Sequence, residues 1–101
     1  MHPAEVLSVS RSDVAAVCAR YGVRELAIFG SVVRGESRPE SDVDVLVLFE
    51  DGFGATIFTL IDLQAELAVL FGRPVDLVPK NGLKAALRSE VLAEAQVLYA
   101  A

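Results

Sequence analysis

Four residues in the first half of the chain combine the side-chain types that phosphate and metal chemistry require. Gly30 and Ser31 follow the apolar run 26–29, and Asp42 and Asp44 open a second apolar run. A glycine lets a ligand approach the backbone, and the free N–H groups of a helix start favour phosphate. On a strand the two aspartates would share one face, about 6.5 Å apart, and could share a pair of divalent cations. The spacing therefore predicts metal-assisted chemistry on a nucleotide.

The same residues also have an ordinary structural interpretation. Gly30-Ser31 can be a simple turn, and Ser41-Asp42 can be a turn that leads into a strand. The apolar run 45–48 after the aspartates weighs against this interpretation, because charged residues are depleted in strands whose other positions are this apolar.

A third aspartate, Asp76, interrupts the apolar segment 75–78. If this segment is a strand beside the second one, its carboxylate faces the same way as the other two, and three carboxylates converge at one end of the sheet. An aspartate in a short core strand needs a partner or a metal. The alternative to a metal is a salt bridge, with Arg73 or Lys80 as the nearest cations.

Weaker candidates lie on the predicted helices. Arg34 points to a nucleotide phosphate or to a partner protein, and a solvated arginine is the alternative. Asp62 and Glu66 lie one helical turn apart, a spacing that metal ligands can have, but we interpret them as solvent-facing.

Hydrophobic periodicity and turn residues predict an α/β (α+β) fold that carries these residues on a small mixed sheet of three to four strands. Apolar residues at helical spacing and Gly or Pro at the boundaries set the limits of each element. The pattern predicts helices at about 10–21, 31–35, 56–71 and 83–93, and strands at 23–29, 43–49, 75–78 and 97–99.

Length, composition and charge limit the classes of function. A chain of 101 residues predicts a single domain over 1–101. The net charge of −5 and the lack of any basic run argue against binding to DNA or RNA. Because 53% of the residues are hydrophobic, we expect some of them to stay exposed and to mark a protein interface.

The single cysteine and the single histidine exclude a disulfide and any site that depends on histidine. A single cysteine, Cys18, rules out an internal disulfide and fits a reducing cytosol, where we expect a small buried thiol. His2 is the only histidine and lies at the terminus, which excludes histidine metal ligation and a Ser-His-Asp triad. We expect neither a signal peptide nor a membrane span, and therefore a cytoplasmic protein.

The motif itself resembles a known family. Gly30-Ser31, ten residues and then Asp42-Val43-Asp44 resemble the signature of the polymerase-β-like nucleotidyltransferases. The run 34–36, with Ser41 ahead of Asp42, resembles more narrowly the minimal nucleotidyltransferase (MNT) group, the antitoxin partners of HEPN-domain toxins. The resemblance implies the polymerase-β-like fold and a hetero-oligomer with a toxin, with a homodimer also possible.

The residues and the resemblance together give the following assignment. Two Mg²⁺ ions serve the reaction, and ATP is the substrate. The resemblance implies that AMP passes to a tyrosine of a HEPN ribonuclease toxin. Two alternatives stay open: an antitoxin that blocks its toxin by binding alone, and a transferase that acts on a small molecule such as an aminoglycoside or on an RNA end. The assigned catalytic and metal residues are Asp42, Asp44 and Asp76, and the assigned nucleotide-binding residues are Gly30, Ser31, Arg34 and Ser41.

Overall fold

A computed structural model describes residues 2–101, which form four strands, five α-helices and one turn of 3-10 helix at Lys80–Gly82. The mixed α/β architecture confirms the fold class expected from the sequence, and the short first helix was not predicted. The strands are β1 (Val23–Phe29), β2 (Val43–Phe49), β3 (Val75–Pro79) and β4 (Gln96–Ala100), and the helices are α1 (Pro3–Val6), α2 (Arg11–Arg20), α3 (Ser31–Arg34), α4 (Ile57–Phe71) and α5 (Ala85–Glu94).

The sheet is mixed, in the order β3-β2-β1-β4. β1 pairs antiparallel with β2 and with β4, whereas β2 and β3 run parallel. Parallel neighbours need a long crossover, usually a helix, and α4 supplies it. Thr56 caps the start of α4 in a capping box, and Gly72 ends it in the left-handed conformation. The crossover brings the starts of β2 and β3 to the same end of the sheet.

One face of the sheet carries the core. Strand residues alternate between faces, so Val43, Val45 and Val47 all point to the helical side, where each is at most 1% exposed. Leu63 and Leu67 of α4 are fully buried against this layer. The intervening residues of β2 therefore lie on the opposite face of the sheet, and Asp44 is one of them.

Several helix residues are apolar but exposed, which confirms that the core cannot take up every hydrophobic side chain. α4 buries Leu63, Leu67 and Phe71, whereas Phe58 is 74% and Val69 is 84% exposed. α5 has no buried residue at all. No helix in the described part of the chain is long and apolar enough to cross a membrane.

Cys18 lies fully buried on the inner side of α2, as expected from its position among apolar residues. Burial disfavours the thiolate and raises the pKa of the Cys18 thiol to about 12. Because the thiolate is the reactive form, we expect Cys18 to resist a thiol reagent at pH 8 in the folded protein. Reaction with one equivalent only after addition of denaturant would bear this out, and rapid labelling of the folded protein would contradict it.

Candidate active site

The pairing of β2 with its neighbours brings two aspartates side by side. Asp44 lies directly opposite Asp76 in the parallel ladder between β2 and β3, and opposite Phe29 in the ladder with β1. Paired residues of neighbouring strands share a face and lie roughly 5 Å apart. Asp42 precedes β2 and is exposed, as is Asp76, while Asp44 is half-buried. The condition under which Asp76 was expected to face the same way as Asp44, that its strand lies beside β2, is therefore met.

The other two aspartates act electrostatically on Asp44. The pKa of Asp44 is raised, first by burial and then by the negative charges of Asp76 and Asp42, while Arg34 opposes the shift. Like charges within a few ångströms disfavour the ionised form in this way. Burial and the neighbouring aspartates thus disfavour the ionised form of the half-buried Asp44.

The turn from β1 into α3 lies against Asp44. Gly30 has φ +76° and ψ −149°, a conformation that is essentially restricted to glycine. A Cβ at this position would collide with Oδ2 of Asp44. Ser31 then begins α3, and within residues 2–101 neither its hydroxyl nor its backbone N–H has a hydrogen-bond partner. The predicted Gly-Ser turn therefore lies beside the carboxylates, and the Ser31 N–H and hydroxyl are available to donate hydrogen bonds to a ligand.

Arg34 forms salt bridges with two carboxylates, those of Glu36 and Glu94. Its Nε donates to Glu36 Oε1 at 2.7 Å, and its Nη1 donates to both carboxylate oxygens of Glu94 at 3.1 Å. Half of its side chain is exposed. The alternative of a solvated helix arginine therefore stays open, and the predicted contact of Arg34 with a nucleotide phosphate stays a prediction.

Hydrogen bonds from Arg73 hold the loop before β2 in place. Ser41 and Arg38 form a turn in which the Arg38 N–H donates to the Ser41 hydroxyl at 3.0 Å. The Arg73 guanidinium donates to the carbonyl oxygens of both residues, with Nη2 2.9 Å from each. Because Ser41 directly precedes Asp42, Arg73 fixes the backbone that carries this carboxylate. The Ser41 hydroxyl serves the turn, so its predicted contact with nucleotide also stays a prediction.

Loss of the hydrogen bonds from the Arg73 guanidinium to the Arg38 and Ser41 carbonyls should impair the site more than the fold. We expect Arg73→Lys to raise the Mg²⁺ concentration needed for half-maximal activity by about tenfold, because an ammonium group cannot bridge both carbonyls in one plane. Activity measured across a Mg²⁺ titration is the test. Arg24→Lys, at an exposed position of β1, is the matched control, and an equal shift in both variants would contradict the assignment.

Asp76 has no salt bridge within the described residues. Arg73 binds backbone carbonyls instead, and Lys80 Nζ pairs with Glu25 at 2.8 Å. Both cations that the sequence offered as alternatives are therefore engaged elsewhere. The premise of a carboxylate inside a core strand was wrong, because β3 is an edge strand and the Asp76 side chain is exposed.

The two members of the second acidic pair, on α4, have different surroundings. Glu66 is held by Arg20, whose Nη1 donates to its carboxylate at 2.8 Å, and Asp62 is exposed. The interpretation of Asp62 as solvent-facing is confirmed. For Glu66 it was wrong, since a long-range partner on α2 holds this side chain against the protein.

The carboxylates on β2 and β3 suit a hard cation chemically. Across residues 2–101, no three acidic, histidine or cysteine side chains are gathered closely enough to enclose an ion as they stand. The three aspartates nevertheless offer only oxygen donors, which Mg²⁺ prefers, and a divalent cation would offset the repulsion that raises the pKa of Asp44. The donor set therefore fits the predicted metal, and Asp42, Asp44 and Asp76 would hold it.

Three supporting residues were not found from the sequence. Glu94 binds Gly30 and Arg34 from α5, Arg73 binds the loop before β2, and the Gln64 side chain accepts from the Leu77 N–H at 3.0 Å. For Glu94 a signal was present, since an acidic residue at the end of a helix opposes the helix dipole and so indicates a partner elsewhere. The other two contacts have no local signal.

A shallow recess of about 300 Å³ lies at the far end of the sheet. Phe49 and Pro79, the last residues of β2 and β3, form part of its wall together with the start of α4. The carboxylates belong to the opposite ends of the same strands. This recess is therefore separate from the candidate active site.

Known proteins match most of the chain. A family model described as a nucleotidyltransferase domain matches residues 14–98. The protein adenylyltransferase MntA of Thermococcus cleftensis is 41% identical over 90 residues, which are 89% of each chain. The segment that the family model matches contains the Gly-Ser turn and all three aspartates.

Solved structures agree in fold. The structure of a candidate minimal nucleotidyltransferase is 45% identical with a TM-score of 0.71, over 84% of this chain and 85% of that one. A complex of a tri-AMPylated Shewanella oneidensis HEPN toxin with an MNT antitoxin matches at 19% identity with a TM-score of 0.64, over 90% of this chain and 70% of that one. The chain therefore belongs to the nucleotidyltransferase domain family and, within it, to the minimal nucleotidyltransferases that include the protein adenylyltransferase MntA.

Proposed function

We propose that this nucleotidyltransferase is an antitoxin that transfers AMP from ATP to a tyrosine hydroxyl of a HEPN-type toxin. The observation that carries the chemistry is the position of Asp44, which lies beside Asp76 across the ladder and against Gly30 at the phosphate turn. A carboxylate group and an anion-binding turn are thus adjacent, as transfer of a nucleotidyl group requires.

Each part of the site has a defined task in this proposal. Asp42, Asp44 and Asp76 hold Mg²⁺, which when bound supplies charge neutralisation at the reacting phosphate and at the leaving group. Ser31 offers its backbone N–H and hydroxyl to the β- and γ-phosphates. Positioning and fixed electrostatics account for most of the rate in phosphoryl chemistry. Gly30 allows the turn to approach Asp44 closely, and Arg73 holds the backbone that carries Asp42.

The reaction balances as an in-line displacement. A bond forms between the acceptor hydroxyl oxygen and the α-phosphorus, and the bond from the α-phosphorus to the bridging oxygen of the β-phosphate breaks, so that pyrophosphate leaves. The hydroxyl proton passes to a base. Asp76 is exposed at the sheet edge and free of ion pairs among the described residues, which makes it the best-placed carboxylate to accept this proton.

The acceptor is proposed from the comparisons. The MntA relative is named a protein adenylyltransferase, and the structural neighbour is an MNT antitoxin bound to an AMPylated HEPN toxin. Because Asp42 and Asp76 are exposed beside the half-buried Asp44, a side chain of a bound partner can reach this group of carboxylates. The acidic net charge of −5 supports a protein acceptor over an RNA end.

The experiment is an intact-mass measurement on the protein encoded beside this chain, which the proposal expects to be a HEPN toxin. The toxin is incubated with the chain, Mg²⁺ and each of the four nucleoside triphosphates in turn. We expect a gain of one or more AMP units with ATP, and no gain with the Asp42→Asn/Asp44→Asn double variant. Digestion and fragmentation of the product should place AMP on tyrosine.

The same experiment separates the alternatives. A stable complex without any mass gain, which still silences the toxin, would contradict the transferase and leave an antitoxin that acts by occlusion. Transfer to an aminoglycoside but not to the toxin would contradict the protein acceptor. Asp62→Asn, at an exposed position on α4, is the matched control and should behave as the wild type.

A further inference from the structure

The last residue of α5 reaches across to the phosphate turn. Glu94 Oε1 accepts from the Gly30 backbone N–H at 2.8 Å, over a separation of 64 residues. Both oxygens of this carboxylate also accept from Arg34 Nη1 at 3.1 Å. One side chain therefore joins the two ends of the segment 30–34, the glycine that precedes α3 and the arginine that ends it.

This contact is strong for a side chain near the surface. The Glu94 pKa is lowered, first by the Gly30 N–H and then by Arg34. Hydrogen bonds to a charged acceptor exceed neutral ones by about a factor of two. α5 buries no side chain of its own, so the contact is also a principal attachment of this helix to the phosphate turn.

We propose that Glu94 is a positioning residue that holds the Gly30–Ser31 turn in the conformation that receives the nucleotide phosphates. The inference rests on the proposed function for the nucleotide and adds a residue that the motif does not contain. The glycine needs external support, because its conformation at φ +76° and ψ −149° is not one that the chain strongly prefers by itself.

The N–H group that donates to Glu94 is not one of the donors proposed to bind the nucleotide. Glu94 takes the Gly30 N–H, whereas the Ser31 N–H and hydroxyl have no partner within residues 2–101. A phosphate can therefore bind at Ser31 while Glu94 stays in place. The opposite possibility, that Glu94 occupies the phosphate position and must be displaced, predicts the opposite sign in the measurement below.

The first test follows the turn without any nucleotide. Hydrogen exchange of the Gly30 amide, measured by NMR on the full chain, should become about tenfold faster in Glu94→Ala, since a charge-assisted hydrogen bond is lost. Glu94→Gln keeps an acceptor for this N–H and should restore part of the protection. Glu90→Ala, one turn earlier on the exposed side of α5, should leave the rate unchanged.

The second test follows the nucleotide. With ATP and the toxin as substrates, Glu94→Ala should raise the KM for ATP by about tenfold, and Glu94→Gln should raise it less. If Glu94 acts through the turn and Arg34 together, adding Arg34→Ala to Glu94→Ala should cost little more than either change alone. The wild type and Glu90→Ala should show the same KM.

Each outcome decides between the possibilities. A lower KM for ATP in folded Glu94→Ala would overturn the proposal, because it would show that Glu94 competes with phosphate. Unchanged Gly30 exchange in Glu94→Ala would also overturn it. A third outcome is faster Gly30 exchange in Glu94→Ala together with a wild-type protein that transfers no nucleotide. This outcome would support the role of Glu94 in the turn and contradict the proposed function.

Discussion

Replacing Asp44 with asparagine is expected to abolish nucleotidyl transfer while leaving the protein at least as stable as the wild type. Asp44 lies between the other two carboxylates and against the phosphate turn. Asparagine keeps its shape but removes the charge that holds a cation. We expect the rate of transfer to fall by at least about 10³-fold, the scale of removing a principal electrostatic contact to a transition state.

The stability part of this prediction follows from the sign of the pKa shift. Burial and the charges of Asp76 and Asp42 raise the pKa of Asp44 in the folded protein. The folded state therefore binds this proton more readily than the unfolded state. Protonation of Asp44 adds stability as the pH falls through its folded pKa, and ionisation removes that stability as the pH rises. At neutral pH, the uncharged amide of the Asp44→Asn variant avoids the repulsion altogether.

The measurement pairs thermal unfolding without Mg²⁺ with AMP transfer in its presence. The Tm of Asp44→Asn should be equal to or above that of the wild type at pH 7, while transfer is lost. Asp62→Asn on α4 controls for the loss of one negative charge at an exposed position and should change neither. A large drop in Tm for Asp44→Asn would mean that the aspartate serves the fold, which contradicts its assignment to the active site.

Gly30→Ala is expected to have the second-largest effect, and here stability and activity should fall together. The backbone conformation at Gly30 strains any residue with a side chain, at a cost of roughly 1–3 kcal/mol. The added methyl group would also collide with Oδ2 of Asp44 and push this carboxylate away from Asp76. We expect activity to fall by at least about 10²-fold even where the protein is fully folded.

Gly52 offers a matched control for the backbone effect. It also has a positive φ, +79°, but a Cβ there would meet nothing within 4 Å. Gly52→Ala should therefore lower the free energy of unfolding by a similar strain and leave AMP transfer intact. Equal activity of the two alanine variants at a temperature where both are folded would show that the contact between Gly30 and Asp44 has no catalytic role.

The features that local patterns encode were predictable from the sequence. The nearly continuous apolar run after Asp42 defines β2 with its observed bounds, Val43–Phe49. The helix that begins after Thr56 was predicted as an element, whereas its role as the crossover between the parallel strands β2 and β3 is known only from the structure. Once these strands are neighbours, the alternation of side chains puts Asp44 and Asp76 on the same face, whereas the register that pairs them is known from the structure.

The supporting contacts could not be predicted, because they join residues far apart in the chain through long polar side chains. Glu94 reaches Gly30 over 64 residues, and Arg73 reaches Ser41 over 32. Such contacts depend on tertiary placement and leave no periodic pattern in the sequence. Arg73 illustrates the difficulty, since its proximity to Asp76 in the sequence suggested only a salt bridge as the alternative to a metal, and the structure does not form that salt bridge.

The most direct test of nucleotidyl transfer asks which phosphate of ATP reaches the toxin. The chain, the HEPN toxin and Mg²⁺ are incubated with ATP radiolabelled at either the α- or the γ-phosphate. We predict that label at the α-position becomes bound to the toxin, with one pyrophosphate released for each transfer and no label from the γ-position. Label from the γ-position on the toxin would show a phosphotransferase and contradict the proposed reaction, as would a stable complex that takes up neither label.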